Sequence, residues 1–396
     1  MLTTTSRPHR PLTLLTCGHA CVDVYQGAVA ALVPYFVAER AYGYAAASAV
    51  VLAASLLSSF VQPLFGALTD RRALPWLLPV STVLAGAGIA LSGVVGSYPL
   101  TLAVVAVSGI GVAAYHPEAA RAARRASRGS HTAMGWFSLG GNLGFATAPV
   151  LVAAVLATGG LAATPLLVVP ALAGAALCAA ALRAMRAPVA DTAADGAGTT
   201  VPPDDWASFA RLSGAVVCRS VVFVGLSAFL TLYARQRTGG GELAGTAALF
   251  TLYLGGAFGT VAGGKLAARH PRTTVVRWSY ALSVLAVTGV VLVPGPLLYV
   301  FVALTSAGLY VPFSLHVTLG QDYLPGRVGT ASGVTLGLAV GVGGIATPFV
   351  GALADATSLR TALAPLIALP ALGWLLLRTL REPAAPGAGA GTPPPA

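Results

Sequence analysis

Apolar residues run along this chain in long unbroken stretches, and polar residues gather in the short breaks between them. Twelve stretches can be marked: residues 12–37, 44–68, 76–95, 98–120, 132–156, 161–182, 212–234, 243–264, 275–294, 297–319, 328–353 and 360–380. Each is close to the roughly 20 residues that an α-helix needs to cross a bilayer. None shows the alternation of apolar and polar positions that marks barrel strands, and a helix satisfies its own backbone hydrogen bonds in lipid. The pattern predicts an all-α membrane protein with twelve transmembrane helices.

Composition agrees. Charged residues make up 9% of the chain and hydrophobic ones 56%, against about 25% charged in a soluble domain. The net charge of +11 raises the question of nucleic acid, but the basic residues fall on alternate connections. With the amino terminus placed in the cytoplasm, 18 of the 23 lysines and arginines face inside, only Arg40, Arg235, Arg237 and Arg360 face outside, and Arg219 lies within a span. This positive-inside asymmetry predicts a multi-pass protein of the cell membrane with both termini cytoplasmic, and no nucleic-acid partner. Cys17, Cys21, Cys178 and Cys218 all lie in predicted spans, so no extracellular disulfide framework is readable. Arg7, His9 and Arg10 before an apolar run imitate a signal peptide, but cleavage there would spoil the charge pattern.

The chain also resembles itself. An offset of 198 residues pairs Gly27 with Gly225, Tyr35 with Tyr233, Gly66 with Gly264, Arg71 with Arg269 and Gly135 with Gly333, each at matching places in matching spans. Two six-helix bundles with a pseudo-twofold repeat follow, residues 1–182 and 212–381. Between them, residues 183–211 have the polar and Pro/Gly-rich composition of a cytoplasmic linker, and residues 382–396 that of a disordered tail. Binding near the midplane between such halves is a recurrent transporter arrangement. Glycines at helical spacing, Gly140 and Gly144, Gly255, Gly259 and Gly263, and Gly333, Gly337 and Gly341, predict close helix approach, either as plain packing or as interfaces between halves that rock.

Ionisable residues inside a membrane are costly and tend to be functional. His19, Asp23 and Gln26 form one stripe on the first helix by their spacing. Cys17 and Cys21 point about 160° away from His19, which argues against one metal ion reaching both pairs; no metal and no cofactor is expected. The stripe is open to two readings, a hydrogen-bonded structural cluster or a station for protons or substrate. A buried Asp23 next to a competing cation, Arg219, and an anionic ligand would form a coupling mechanism. In YHPEAAR, Pro117 is expected to bend or loosen the fourth span and to leave the carbonyl of Ala113 free for His116 or water. Glu118 is spaced to pair with Arg121. The offset sets Ser314 and His316 opposite His116 and Glu118, so the acidic position is not repeated.

The stretch GALTDRR, with Gly66, Asp70 and Arg71, resembles the signature that major facilitator superfamily transporters carry between spans two and three, although Ala73, Leu74 and Pro75 replace its later glycine and basic pair. Within that superfamily the chain resembles the fosmidomycin resistance protein family. The resemblance is carried by GHACVDVYQGAVAALVP, QPLFGALTD, LPWLLPV, YHPEAAR, GGNLGFATAP, CRSVVFVGLSAFLTLY and LGQDYLPGRVGTASGVTLGLAVGVGG. GGNLGFATAP is similar to the span-five antiporter motif, with Ala148 where a glycine is expected. The resemblance implies a monomeric, proton-coupled exporter of a small drug-like or anionic molecule working by alternating access. In it Asp23 would be the proton carrier; His19, Gln26, His116, Glu118 and Arg219 would line or tune the cavity; and Gly66, Asp70 and Arg71 would control closure. An uptake symporter for a metabolite or organic anion is the alternative within transport. A membrane-embedded enzyme is disfavoured, because no catalytic motif appears, and a sensor lacks an output domain.

Overall fold

A computed structural model describes residues 10–127, 131–185 and 203–383. The chain is helical throughout: α1 (Arg10–Arg40), α2 (Tyr44–Arg71), α3 (Leu77–Ser92), α4 (Tyr98–Ser127), α5 (His131–Leu156), α6 (Val169–Ala184), α7 (Trp206–Thr238), α8 (Glu242–Ala267), α9 (Arg272–Leu292), α10 (Leu297–Tyr310), α11 (Phe313–Tyr323), α12 (Val328–Ala356), α13 (Leu359–Leu363) and α14 (Ala368–Leu377). Among the described residues, eleven segments are long and apolar enough to cross a membrane, and α3, at 16 residues, is a shorter apolar helix in the place of the twelfth. Most of the proposed linker and of the proposed tail lies outside the described residues.

Prolines decide where a span is one helix and where it is two. Pro34, Pro63, Pro117, Pro149 and Pro348 sit inside continuous helices, because in lipid a helix has no cheaper alternative than to keep its remaining bonds. Span ten does divide, at Val311 and Pro312 between α10 and α11. Span six opens with a tighter 3-10 segment, Gly160–Val168, that contains Pro165, and span twelve passes through another, Ala364–Ile367, with Pro365 in its first turn. The expected loosening of span four at Pro117 is not seen; α4 runs on to Ser127 and carries Arg121, Arg124 and Arg125 as helical residues.

The helices form two bundles, α1 to α6 and α7 to α14, built alike. At the end of α1, Arg40 donates to the carbonyl of Gly93 at the end of α3 (2.6 Å). At the end of α7, Arg237 donates to the carbonyl of Leu292 at the end of α9 (2.9 Å). Each arginine satisfies a carbonyl that the end of its helix leaves without a partner. The glycine ridges of α5 and α8 serve packing within a bundle, whereas that of α12 faces the other half. A Cβ at Gly144 would collide with the carbonyl of Ala20 on α1, and at Gly259 it would lie 2.6 Å from Tyr310 on α10. These glycines therefore do not form the interface between halves.

That interface is made by α12 packed along α2 and by α8 packed along α5. We call the side on which α1 begins the near face and the side on which it ends the far face. Gly333, Gly337, Gly344 and Gly351 share one stripe of α12, within about 40° by helical rotation. On the far side this stripe is in tight contact with α2: Gly344 faces Ser55, and a Cβ at Gly351 would lie 2.6 Å from the Tyr44 carbonyl. On the near side, a Cβ at Gly333 or Gly337 would meet nothing within 4 Å among the described residues, and the same holds for Gly66 on α2. The two helices thus meet at their far ends and part toward the near face.

A carboxylate fastens the far ends. The first turn of α2 follows Gly43, which has no side chain to cap it. Asp355, at the far end of α12, supplies the cap from the other bundle, accepting from the backbone N–H of Tyr44 (2.7 Å) and Ala45 (2.9 Å). A negative charge at a helix N-terminus satisfies orphan N–H groups and the helix dipole together. Tyr44 also sets its ring edge-on to Phe229 of α7, with centroids 6.1 Å apart.

Candidate functional site

The first and fourth helices bring three side chains to one point. His19 and Asp23 share a face of α1, and their contact, Nε2 to Oδ2, is 3.3 Å. His116, 93 residues further on, reaches the other oxygen of the same carboxylate, Nε2 to Oδ1 at 3.1 Å. Both histidines are held in place from behind. His19 Nδ1 lies 2.9 Å from the carbonyl of Phe137, whose ring stacks on the imidazole at 4.3 Å between centroids. His116 Nδ1 lies 2.7 Å from the carbonyl of Val112. The histidine at Pro117 does turn back onto its own helix as expected, but onto Val112 rather than the Ala113 carbonyl that the proline leaves free.

Glycine makes room for the cluster. A Cβ at Gly141 of α5 would stand 2.5 Å from Asp23 Oδ2 and 2.7 Å from His19 Nε2, so only a residue without a side chain lets α5 approach there.

The anchors determine the proton chemistry. A carbonyl only accepts, so each Nδ1 must carry its hydrogen. Each Nε2 then holds a proton only in the imidazolium form. With both histidines neutral and Asp23 ionised, His19 Nε2 and Asp23 Oδ1 are buried without a hydrogen-bond partner; a proton placed on an imidazole or on the carboxyl supplies a missing donor. Three ionisable groups are thus linked through two contacts of hydrogen-bond length. The three ligand atoms also lie within 4.8 Å of one another, close enough for a metal ion. Yet both nitrogen–oxygen contacts already have hydrogen-bond lengths, so protons account for the geometry without a metal.

The remaining polar candidates are placed differently. Gln26, one turn along the stripe, lines a central cavity of about 70 Å³, room for about five waters at roughly 10–15 Å³ each. The cavity lies between the halves and is walled by Ser55, Ser108, Phe145, Phe223 and Tyr253 among others. Glu118 is fully buried but does not join the cluster. Arg121 grips it in a forked pair, one arm Nε to Oε2 at 3.0 Å and the other, to Oε1, closer still. Arg219 lies in the second half, 4% exposed, and donates to the carbonyl of Leu309 in the last turn of α10 (3.0 Å). The side chains of Asp70 and Arg71 lie outside what the structure describes, and Gly66 is near the open side of α2.

Three participants were not singled out from the sequence. Tyr310 of α10 sets its ring edge-on to Phe223 of the cavity wall, with centroids 5.4 Å apart. Phe137 and Gly141 shape the cluster only through α5 packing. Cys17 is exposed, whereas Cys178 is buried against Tyr115 (3.8 Å) and Gly18; neither shares an atom with the cluster.

Two six-helix bundles, a cavity between them and ionisable groups buried beside it define a secondary transporter. The Major Facilitator Superfamily model matches residues 15–348, and the chain belongs to that superfamily, a family of transporters and not of enzymes. The Fosmidomycin resistance protein of Escherichia coli (strain K12) is 28% identical over 374 residues, covering 92% of this chain and 91% of that protein. An uncharacterized MFS-type transporter, YfnC of Bacillus subtilis (strain 168), is 30% identical over 376 residues, covering 92% and 91%. A solved bacterial homolog of the human lysosomal transporter Spinster, in an inward-facing and occupied conformation, superposes with a TM-score of 0.77 at 16% identity, over 97% of this chain and 100% of that one. The chain is a multi-pass membrane protein that acts on a small-molecule substrate.

Proposed function

We propose that this transporter is a monomeric, proton-coupled exporter of a small drug-like or anionic molecule, with both termini cytoplasmic and alternating access between two faces of the cell membrane. The observation that carries the reading is the convergence of His19 and His116 on Asp23, 8% exposed, beside the cavity between halves. A cluster whose proton count can change without moving its backbone anchors is suited to trade protons with one face at a time. The positive-inside distribution of the sequence assigns the near face to the cytoplasm. The splay of α2 and α12 then corresponds to a cleft open to the cytoplasm and sealed outside by Asp355. Gly66, Asp70 and Arg71, at the open end, would close the near face in the opposite state. Gln26 would contact substrate or water in the cavity, and Glu118 with Arg121 would stiffen the near end of α4. The anionic substrate class and the export direction are supported by the likeness to the fosmidomycin resistance protein.

Inverted membrane vesicles with an acidified lumen test this. Protein of native sequence is expected to accumulate fosmidomycin in the lumen and to release protons as it does so. Asp23→Asn is expected to bring both to the level of vesicles without the protein. Accumulation that ignores the gradient, or equal accumulation by Asp23→Asn, removes the proton station. Drug leaving a preloaded lumen together with protons would establish the uptake symporter instead.

A further inference from the structure

The second half holds a buried cation and a buried imidazole that no acidic group among the described residues pairs with. Arg219 is 4% exposed and His316, on α11, 2%. Among the described residues, Arg219 takes part in no ion pair. Its Nε and the Nε2 of His316 are both buried without a hydrogen-bond partner. His316 stands one turn after Phe313 on α11, and its ring is edge-on to Tyr280, 5.8 Å between centroids, whose hydroxyl donates to the Ala215 carbonyl one turn before Arg219 on α7. Around the guanidinium stand the rings of Phe313, 5.1 Å from Cζ, and Phe223, 6.0 Å. Phe223 is also part of the cavity wall.

An arginine cannot discharge itself by losing a proton as a buried lysine does. Left without a counter-charge in a membrane interior it is strongly disfavoured. Its remaining donors form a planar fork suited to two oxygens at once. The division of span ten at Val311 and Pro312 contributes: it ends α10 at Tyr310, so that the Leu309 carbonyl can hold the guanidinium, and it starts α11, which carries His316. We infer that Arg219 and His316 form the subsite that binds the oxyanion end, phosphonate, phosphate or carboxylate, of the transported molecule, with Phe223 and Phe313 beside its apolar part. Tyr310, edge-on to Phe223 at 5.4 Å between centroids, continues this wall along α10. The inference rests on the transport reading but not on its direction or coupling.

Calorimetric titration of the purified full-length protein in detergent, where no gradient exists, tests the subsite separately from proton coupling. Butylphosphonate is the probe, with its neutral diethyl ester and butylammonium as controls. Saturable binding of the phosphonate alone is expected. Arg219→Gln should raise Kd roughly 10- to 100-fold, the loss of charge-assisted hydrogen bonds, and His316→Gln about tenfold. Asp23→Asn, inactive in vesicles, should still bind. If Arg219→Gln does not fold, Arg219→Lys keeps the charge without the fork and should weaken binding less. The assignment falls if native protein shows no saturable heat, if the ester binds as well, or if Arg219→Gln, Arg219→Lys and His316→Gln all keep the native Kd. Binding of short-chain phosphatidic acid without any binding of butylphosphonate would give the site to a lipid headgroup and overturn it equally.

Discussion

The two halves of this transporter treat buried polar groups in opposite ways. In the first, every ionised partner is answered from inside the protein: Asp23 by two histidines, Glu118 by Arg121. In the second, Arg219 and His316 are buried with polar atoms left over, and among the described residues neither takes part in an ion pair. The same repeat therefore carries one cluster complete except for protons and another complete except for an anion. The repeat offset sets Cys21 opposite Arg219 and Glu118 opposite His316, so divergence at a few positions, and not a different fold, separates the roles.

The sharpest way to break this contrast leaves every ionisable group in place. Gly141→Ala puts a methyl against Asp23 and His19, and overpacking of this kind costs about 1–3 kcal/mol. Proton-coupled transport in vesicles is expected to drop roughly 10-fold or more, while butylphosphonate binding in the second half is retained. Equal loss of both would mean that the halves are not separable in this way.

Glu118→Gln asks whether the second acidic residue of the first half belongs to the proton cluster. Its pair with Arg121 is buried on one side and solvated on the other, so the variant is expected to lose about 1–3 kcal/mol of stability, less than for a fully buried pair. Thermal unfolding in detergent reads this. The ratio of protons to substrate should stay native; a changed ratio would place Glu118 in the coupling machinery.

The smallest expected effect concerns the joint between halves. Asp355→Asn keeps a hydrogen-bonding side chain and removes the charge at the start of α2, worth about 0.3–1 kcal/mol. That is roughly a 2- to 5-fold shift toward separated far ends, measurable as a longer distance between spin labels on the far ends of α2 and α12. An unchanged distance distribution would show that close glycine packing alone holds the far face.

Some of this site is legible in the chain and some is not. The stripe of His19, Asp23 and Gln26 follows from helical spacing, because residues three and four apart must share a face. The pairing of Glu118 with Arg121 follows for the same reason. His116 was a candidate, but its meeting with Asp23 crosses 93 residues, and spacing along α4 cannot say which helix it faces. Phe137 and Gly141 carry no chemical signature at all; one offers a backbone carbonyl and the other an absent side chain. Asp355 lies at the very end of a span, where an acidic residue looks like ordinary solvated surface. Its partner is the unpaired backbone of a helix 311 residues away in sequence.

What the sequence determined by itself was the number of spans, the approximate place of each, with helices four and seven running six or seven residues beyond the apolar run, and the arrangement in two related halves. Lipid leaves the backbone no choice but helices, and the length of an apolar run sets where each can begin and end. Only the tertiary structure decided which helices touch, that His19 and His116 share one carboxylate, that Arg219 and His316 pair with no acidic group among the described residues, and that the halves close at the far face and part at the near one. Those outcomes depend on close approach between helices distant in sequence, and a helix presents the same residue pattern whichever neighbour it packs against.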